Sequence, residues 1–176
     1  MSVLTLDEAK MLISNSPVPT TRYSYEQVQR MIEAAEQQVA EVVGPLAPTP
    51  VTVSAVNGGL GLALPVGPYI GPTTAISRSG VALTSWASTY VDGAGIMHGL
   101  PPGAYQLTYM AGWAVLPPKV YTAIEEQFLH LWSFRRGSTR ADTPGAAHAM
   151  PWRVSELIES YRWERWPGPP HCADPL

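Results

Sequence analysis

The stretch YQLTYMAGWAVLPPKVYTAIEEQFLHLWSFRR, residues 105–136, contains the change of pattern that decides the fold. In its first part Tyr105, Leu107 and Tyr109 alternate with polar Gln106 and Thr108, as in a strand with one wetter face. After Pro117-Pro118 the apolar residues recur every three or four positions, and proline is favoured in a first helical turn. The sequence therefore predicts a strand followed by a long helix. One face of that helix carries Val120, Ile124, Phe128, Leu131 and Arg135.

Two more helices are predicted upstream of this stretch. Each begins at a capping box, in which a Ser or Thr is followed three residues later by Glu or Gln. The first helix covers about residues 5–15, and the second covers residues 24–43 and ends at Gly44-Pro45, a helix-stop pattern. The capping pairs are Thr5 with Glu8 and Ser24 with Gln27.

Between these helices and the long one, about residues 49–115, strand-forming and turn-forming residues replace helix formers. The turns are expected at Ser79-Gly80 and Asp92-Gly93, which are hairpin dipeptides. Residues 57–72 contain so many glycines and prolines that we expect an extended loop there. Short strands are predicted at 51–53, 74–77, 81–86, 88–91 and 104–110.

The predicted fold class is α+β, a small helical bundle with an inserted antiparallel β region and a C-terminal helical arm. Residues 1–136 form the helical core, with the β insertion at about 49–115. Residues 137–150 are small and turn-rich, which is typical of a linker. Residues 151–176 form the arm, and its helix is expected to begin at Pro151 and to end before Pro167.

Composition excludes several classes of protein. Charged residues make up 14% of the 176-residue chain, and the net charge of −3 lacks the basic footprint of a nucleic-acid reader. The single cysteine, Cys172, rules out an internal disulfide and a cysteine-rich zinc site. No signal peptide and no membrane-spanning run is expected, so the default is a protein made in a reducing cytosol.

Patterns that carry catalytic or metal chemistry are missing from the sequence. It has no nucleophile elbow, phosphate-binding glycine loop or zinc-binding His-Glu-x-x-His. Each of the four histidines stands without a second ligand at metal-binding spacing. Glu125-Glu126 is better explained as a solvated helix face. We therefore expect a protein that is not an enzyme and that has no cofactor and no metal.

The most informative chemistry is the concentration of aromatic residues and arginines in the arm. On a helical wheel Val154, Leu157, Ile158 and Tyr161 share one apolar face, and Trp152 and Trp163 share a second, nearly opposite face. Trp, Tyr and Arg are the usual anchors of protein interfaces. The arm is therefore expected to dock on a neighbouring chain, although burial in its own core is the alternative. The expected contact residues are Trp152, Arg153, Leu157, Tyr161, Arg162, Trp163 and Trp166.

An ordered set of motifs resembles the head-to-tail connector, or adaptor, family of long-tailed bacteriophages. The set comprises the strand Tyr105–Trp113 with its Tyr-Met-Ala-Gly-Trp ending, the proline-started helix ending in Leu131–Arg136, the helix 24–43 and the segment Pro151–Arg162. The resemblance spans about residues 24–165. The Gly/Pro-rich segment 49–72 and the helix 5–15 depart from the family pattern.

This resemblance implies a structural virion protein at the head–tail interface, made in the host cytoplasm. Family members form a dodecameric ring below the portal, DNA passes through the ring without sequence-specific binding, and a stopper or tail-completion protein attaches below. The C-terminal arm docks onto the portal. The mildly acidic chain suits passage of DNA rather than its binding. The expected lumen-facing residues are Glu33, Glu36 and Glu41.

Two alternatives to the adaptor remain open. A stopper or tail-terminator ring is one, and such proteins are usually richer in β structure. A β-sandwich module that binds a sugar or peptide is the other, with Trp86, Tyr90, Trp113 and Tyr69 as its ligand platform, although strand aromatics are more often core residues.

Overall fold

The computed structural model describes residues 2–14, 24–70, 73, 75–83, 88–135 and 150–163. Within them the chain forms a helical unit and a β unit, so the predicted α+β class is confirmed. The helical unit takes the described residues up to Leu46 and from Val115 to Arg162, and the β unit takes Ala47–Ala114 together with Trp163. The helices are α1 Leu6–Ser14, α2 Tyr25–Val43, α3 Pro118–Arg135 and α4 Trp152–Glu159. The strands are β1 Thr49–Asn57, β2 Leu62–Ala63, β3 Ala75–Arg78, β4 Val81–Ala82, β5 Tyr90–Val91, β6 Ile96–His98 and β7 Gly103–Ala111.

The predicted starts of the first two helices and the predicted end of the second are confirmed. At the start of α1 the Glu8 carboxylate accepts a hydrogen bond of 2.8 Å from the backbone N–H of Thr5, whose hydroxyl accepts one from the Glu8 N–H. At the start of α2 the Ser24 N–H donates to Oε1 of Gln27 at 3.2 Å. Helix α2 ends at Gly44, whose φ of 82° is left-handed and favours glycine.

The core of the helical unit draws on all four helices. Helix α3 contributes the predicted Val120, Ile124 and Phe128, all fully buried. Helix α4 contributes Val154 and Ile158, which are also fully buried, so its apolar face belongs to the core of its own chain. The fully buried apolar residues from the other two helices are Ala9, Ile13, Ile32, Ala35, Val39 and Val43.

The β unit is built around strand β7. Its larger sheet has the order β1-β7-β3-β4, and every neighbouring pair is antiparallel. Strand β7 pairs with β1 along all nine residues of both. The predicted alternation is confirmed, because Tyr105, Leu107 and Tyr109 are buried while Gln106 is exposed.

Both predicted hairpin turns are present. Ser79 and Gly80 have φ values of 51° and 81° and join β3 to β4. Asp92 organises the turn between β5 and β6, because its Oδ1 accepts hydrogen bonds of 2.9 Å from the N–H groups of Ala94 and Ile96. Its Oδ2 lies 2.9 Å from Nε2 of His98. The hydrogen bond with His98, followed by the one from Ile96, lowers the pKa of Asp92.

The prediction of an extended loop over 57–72 was wrong in part. Strand β2 lies inside that segment and pairs with β6, and together with β5 they form a second sheet of order β2-β6-β5. The physical reason is that Leu62 and Leu64 are both 4% exposed and pack into the core of the β unit. Because glycines lie on either side of this short apolar segment, its strand was not predicted from the sequence.

The last helix ends before Pro167, as predicted, but it ends already at Glu159, so the prediction that Trp163 shares a helical face with Trp152 was wrong. The chain then forms a turn, in which the N–H of Tyr161 donates a hydrogen bond of 2.9 Å to the carbonyl of Ile158. Trp163 therefore does not continue a helical face with Trp152. Its indole lies against Gly67 and Gly95 of the β unit, where a Cβ atom added to either glycine would be 2.3 Å from the ring. Only glycine leaves room for the indole at these two positions.

Replacing a core residue of α4 tests whether that helix is part of the helical unit. We expect Ile158→Ala to lower the free energy of unfolding by about 2–5 kcal/mol, because it leaves a cavity in a packed core. Trp152→Ala is the matched control, since Trp152 is 77% exposed on the same helix. Urea unfolding followed by far-ultraviolet circular dichroism measures both, and equal stability of the two variants would contradict the packing of α4.

The contact between the Trp163 indole and Gly67 is tested by a double-mutant cycle. We expect Gly67→Ala to lower the free energy of unfolding by about 1–3 kcal/mol, because its methyl group would overlap the indole. In a Trp163→Ala background the same substitution should cost little, since the ring is gone. Gly58→Ala is the control, because a Cβ atom there meets nothing within 4 Å. Equal effects of Gly67→Ala in both backgrounds would disprove the contact.

Candidate docking interface

The residues expected to form the docking arm fall into distinct environments. Leu157 and Tyr161 are half-buried against the helical core, and Trp163 lies in the β unit. Trp152 and Arg153 project outwards from the first turn of α4. Arg162 is exposed and its guanidinium bonds to the Glu159 carboxylate at 2.8 Å. Trp166 and the expected linker up to residue 149 lie outside the described residues.

An exposed tryptophan beside an arginine therefore marks the outer face of α4. Nε of Arg153 lies 2.9 Å from Oε1 of Glu126 on α3, and the arginine side chain is 68% exposed. An ion pair this exposed contributes at most about 1 kcal/mol to stability. It holds the guanidinium at the surface, with further N–H groups available to a partner. A shallow depression of about 360 Å³ adjoins the pair, lined by Leu129, His130, Ser133, Pro151 and Val154 among others.

A second exposed aromatic surface lies at the N-terminal end of α2. Tyr25 and Met11 are each 64% exposed, and Nζ of Lys10 lies 5.4 Å from the centre of the Tyr25 ring. Beside them is an apolar groove of about 350 Å³, bounded by Leu6, Ile13, Val28 and Trp132. This surface was not predicted from the sequence. The available signal was that Tyr25 continues the stripe of Val28 and Ile32 beyond the core.

The three acidic residues expected to face a DNA channel differ in their surroundings. Glu33 and Glu41 are exposed on α2, and Glu33 accepts a hydrogen bond of 3.2 Å from Gln29. The carboxylate of Glu36 instead accepts the backbone N–H groups of Val3 and Leu4, at 2.7 and 2.9 Å. Glu36 therefore holds the N-terminal residues against α2.

Acidic and phenolic groups also meet where α1 packs on α3. Hydrogen bonds from Thr5 and, after them, from Tyr121 lower the pKa of Glu8. Burial, followed by the hydrogen bond to Glu8, raises the pKa of Tyr121 to about 12. Burial and the neighbouring charges of Glu8 and Glu126 raise the pKa of Glu125. These shifts are explained by helix packing.

The aromatic residues of the alternative ligand platform have different neighbours. Tyr69 lies 6.1 Å, centroid to centroid, from buried Tyr109, and Trp113 is half-buried. Tyr90 is 62% exposed and stacks on His98 at 4.9 Å. Trp86 lies outside the described residues.

The described residues contain neither a metal-binding cluster nor a membrane-spanning helix. Among these residues there is no group of three or more histidine, cysteine, aspartate or glutamate side chains that could hold a metal ion. None of the helices in this part of the chain is long and apolar enough to cross a membrane.

Comparison with known proteins identifies relatives of the fold. No protein-family model matches the chain. No curated protein matches it. Among solved structures it is similar to a chain from the neck of an empty GTA particle computed with C6 symmetry, and to a chain from the virion of a native gene transfer agent (GTA) particle. Each match has 19% sequence identity and a TM-score of 0.60, and covers 94% of this chain and 92% of the other. The chain thus shares its fold, nearly end to end, with a component of a particle neck.

Proposed function

We propose that the chain is a structural component of the neck of a phage-like particle, and specifically a head-to-tail adaptor. The observation that carries this proposal is the fold shared with a GTA neck chain over 94% of the residues. The proposed protein is not an enzyme. It is made in the host cytoplasm and resides in the virion, between the portal and the tail-completion proteins.

A ring is the assembly that this role requires. The similar neck was computed with C6 symmetry. A twelve-membered ring also contains a six-fold axis, so the proposed dodecamer is compatible with that symmetry. Closed cyclic assemblies repeat one contact between two different patches of each subunit. Exposed apolar side chains of the β unit, Val56 and Val81 among them, supply surface for such contacts.

The balance of helix and strand favours an adaptor over a stopper. Helical residues outnumber strand residues within the described ranges, and all four helices share one core. Stopper and tail-terminator rings are usually richer in β structure. The adaptor is therefore the function we propose, and the stopper becomes an outcome of the binding experiment.

The net charge of the chain agrees with a channel for DNA. The chain has a net charge of −3 and only two lysines, Lys10 and Lys119. Lys and Arg contacts to phosphate would add sequence-independent affinity and hold DNA in place. We propose that exposed Glu33 and Glu41 line the channel. Glu36 instead accepts hydrogen bonds from the backbone N–H groups of Val3 and Leu4.

Docking on the portal is assigned to the outer face of α4. Trp152 combines a large apolar area with 77% exposure, and Arg153 beside it presents a planar donor group. Tryptophan and arginine, with tyrosine, are the residues most enriched among energetically dominant interface contacts. We propose that Trp152 is the central portal contact and that Arg153 and Arg162 flank it.

Portal binding is tested by co-sedimentation with portal rings encoded by the same genome. We expect Trp152→Ala to weaken binding about thirtyfold, because a central tryptophan typically contributes ~2 kcal/mol to an interface. Tyr25→Ala is the matched control, being an aromatic residue 64% exposed at another helix end. It should leave portal binding unchanged. Removing α4 would be a poorer test, because Val154 and Ile158 are core residues.

Two results would contradict this proposal. Wild-type binding that survives Trp152→Ala would move the portal contact away from α4. Failure of the folded wild-type protein to bind any portal ring, combined with binding to an adaptor or tail-tube ring, would favour the stopper or terminator function.

A further inference from the structure

The larger sheet of the β unit ends in two different edge strands. Among the described residues its order is β1-β7-β3-β4, so within this part of the chain β1 and β4 each have a strand on one side only. Strand β1 is nine residues long, and its backbone forms no hydrogen bond with any described residue other than those of its sheet partner β7. A strand edge of that length presents a row of N–H and C=O groups that another strand can pair with.

Neither edge carries the charges that usually prevent such pairing. No charged residue occurs from Val42 to Ser77, a run of 36 residues that contains β1. The segment from Ser79 to Val91, which contains β4, is also uncharged. Soluble proteins commonly protect exposed edges with lysine, proline or a bulge. Here the only such residue within β1 is Pro50, next to its N-terminal end.

Solvent-exposed apolar side chains lie beside both edges of the larger sheet. Val56 at the end of β1 is 76% exposed, and Leu60 in the following turn is 95% exposed. Val81 on β4 is 68% exposed. Burying these three side chains against a partner would remove apolar surface from water, which favours association.

We propose that β1 of one copy of this chain pairs with β4 of the next copy, so that the sheet continues from subunit to subunit around a ring. The direction of the strands supports this pairing. Because β1, β7, β3 and β4 alternate in direction and are even in number, a neighbouring copy in the same orientation presents β4 antiparallel to β1. Antiparallel pairing is slightly more stable per residue than parallel pairing.

A second copy fits these edges better than another strand-donating partner. Ring closure requires two different patches on each subunit, and the two ends of one sheet are different patches joined by a rigid element. Both edges are uncharged, so neither repels the other. This inference rests on the proposed function as a ring component, and the C6 symmetry of the similar neck agrees with it.

Cysteine cross-linking tests the pairing directly. Ser54, Gln106, Ser77 and Ala82 lie in one row across the sheet. Within one copy Ser54 and Ala82 are separated by three strand spacings, or about 14 Å. A disulfide requires Cα atoms within about 7 Å, so a bond between these positions must join two copies.

The variants are built in a Cys172→Ser background, which removes the native thiol. Ala82→Cys is combined in turn with Thr52→Cys, Ser54→Cys or Val56→Cys. These three β1 residues lie on the same face of the sheet, because residues two apart in a strand share a face. Testing all three determines the register in which β4 of one copy pairs with β1 of the next. We expect one combination to yield a ladder of disulfide-linked oligomers beyond the dimer. Gln106→Cys is the matched control, since it lies in the same row on a central strand, and it should yield no ladder.

A charge pair provides an independent check that needs no cross-link. Like charges directly opposite each other on neighbouring strands are destabilising, and opposite charges are stabilising. Lysine at Ala82 and at the β1 position found by cross-linking should therefore abolish the ring in sedimentation velocity. Lysine at Ala82 with glutamate at that β1 position should retain it. Loss of the ring in both variants would overturn the proposed pairing.

The cysteine variants are oxidised both as free protein and after incorporation on portal rings. A ladder in either sample supports the sheet pairing. Incorporation on portal rings without a ladder overturns the pairing and leaves the adaptor function intact. A ladder in the free protein without incorporation supports the pairing and contradicts the adaptor function. The absence of both overturns both.

Discussion

The continuous segment from Gly103 to Arg135 is the constraint on which the rest of the structure depends. It supplies the central strand of the β unit and, after a few residues, the central helix of the helical unit. Strand β7 is hydrogen-bonded on both sides, and Leu107 and Tyr109 on it are fully buried. Helix α3 packs against α1, α2 and α4 and buries Phe128. The central elements of both cores are thus close together in the sequence, and the other elements of each unit pack against them.

The segments that could be predicted from the sequence were those with a regular period or a specific turn. Helix α3 shows a 3.6-residue period, and β7 alternates strictly, so both were predicted. Ser79 and Gly80 have the left-handed backbone that a two-residue hairpin turn requires. Strands β2 and β6 were not predicted, because they have only two or three residues and, unlike the equally short β4 and β5, do not lie within a longer run of strand-forming residues. Their existence depends on the burial of Leu62 and Met97 in a core that only the assembled β unit forms.

The docking surface was predictable only in part for a related reason. A helical wheel gives the two faces of α4, and Val154 and Ile158 do lie on the buried one. It cannot tell which face the helix keeps for its own core, nor where the helix ends. Trp163 was assigned to the outer face because the helix was extended too far, and its contact with two glycines is distant in sequence. Tyr25 was missed because it continues the apolar stripe of Val28 and Ile32, and the stripe alone does not show where burial ends.

The packing of Trp163 against Gly67 and Gly95 limits the substitutions that related chains can accept at these positions. The indole occupies the space that side chains at Gly67 and Gly95 would take, so these three positions share one volume. A chain that loses the tryptophan is released from the steric need for glycine at position 67, while Gly95, with a φ of 75°, stays constrained by its backbone. Across relatives, position 67 should therefore co-vary with position 163, and position 95 should change last.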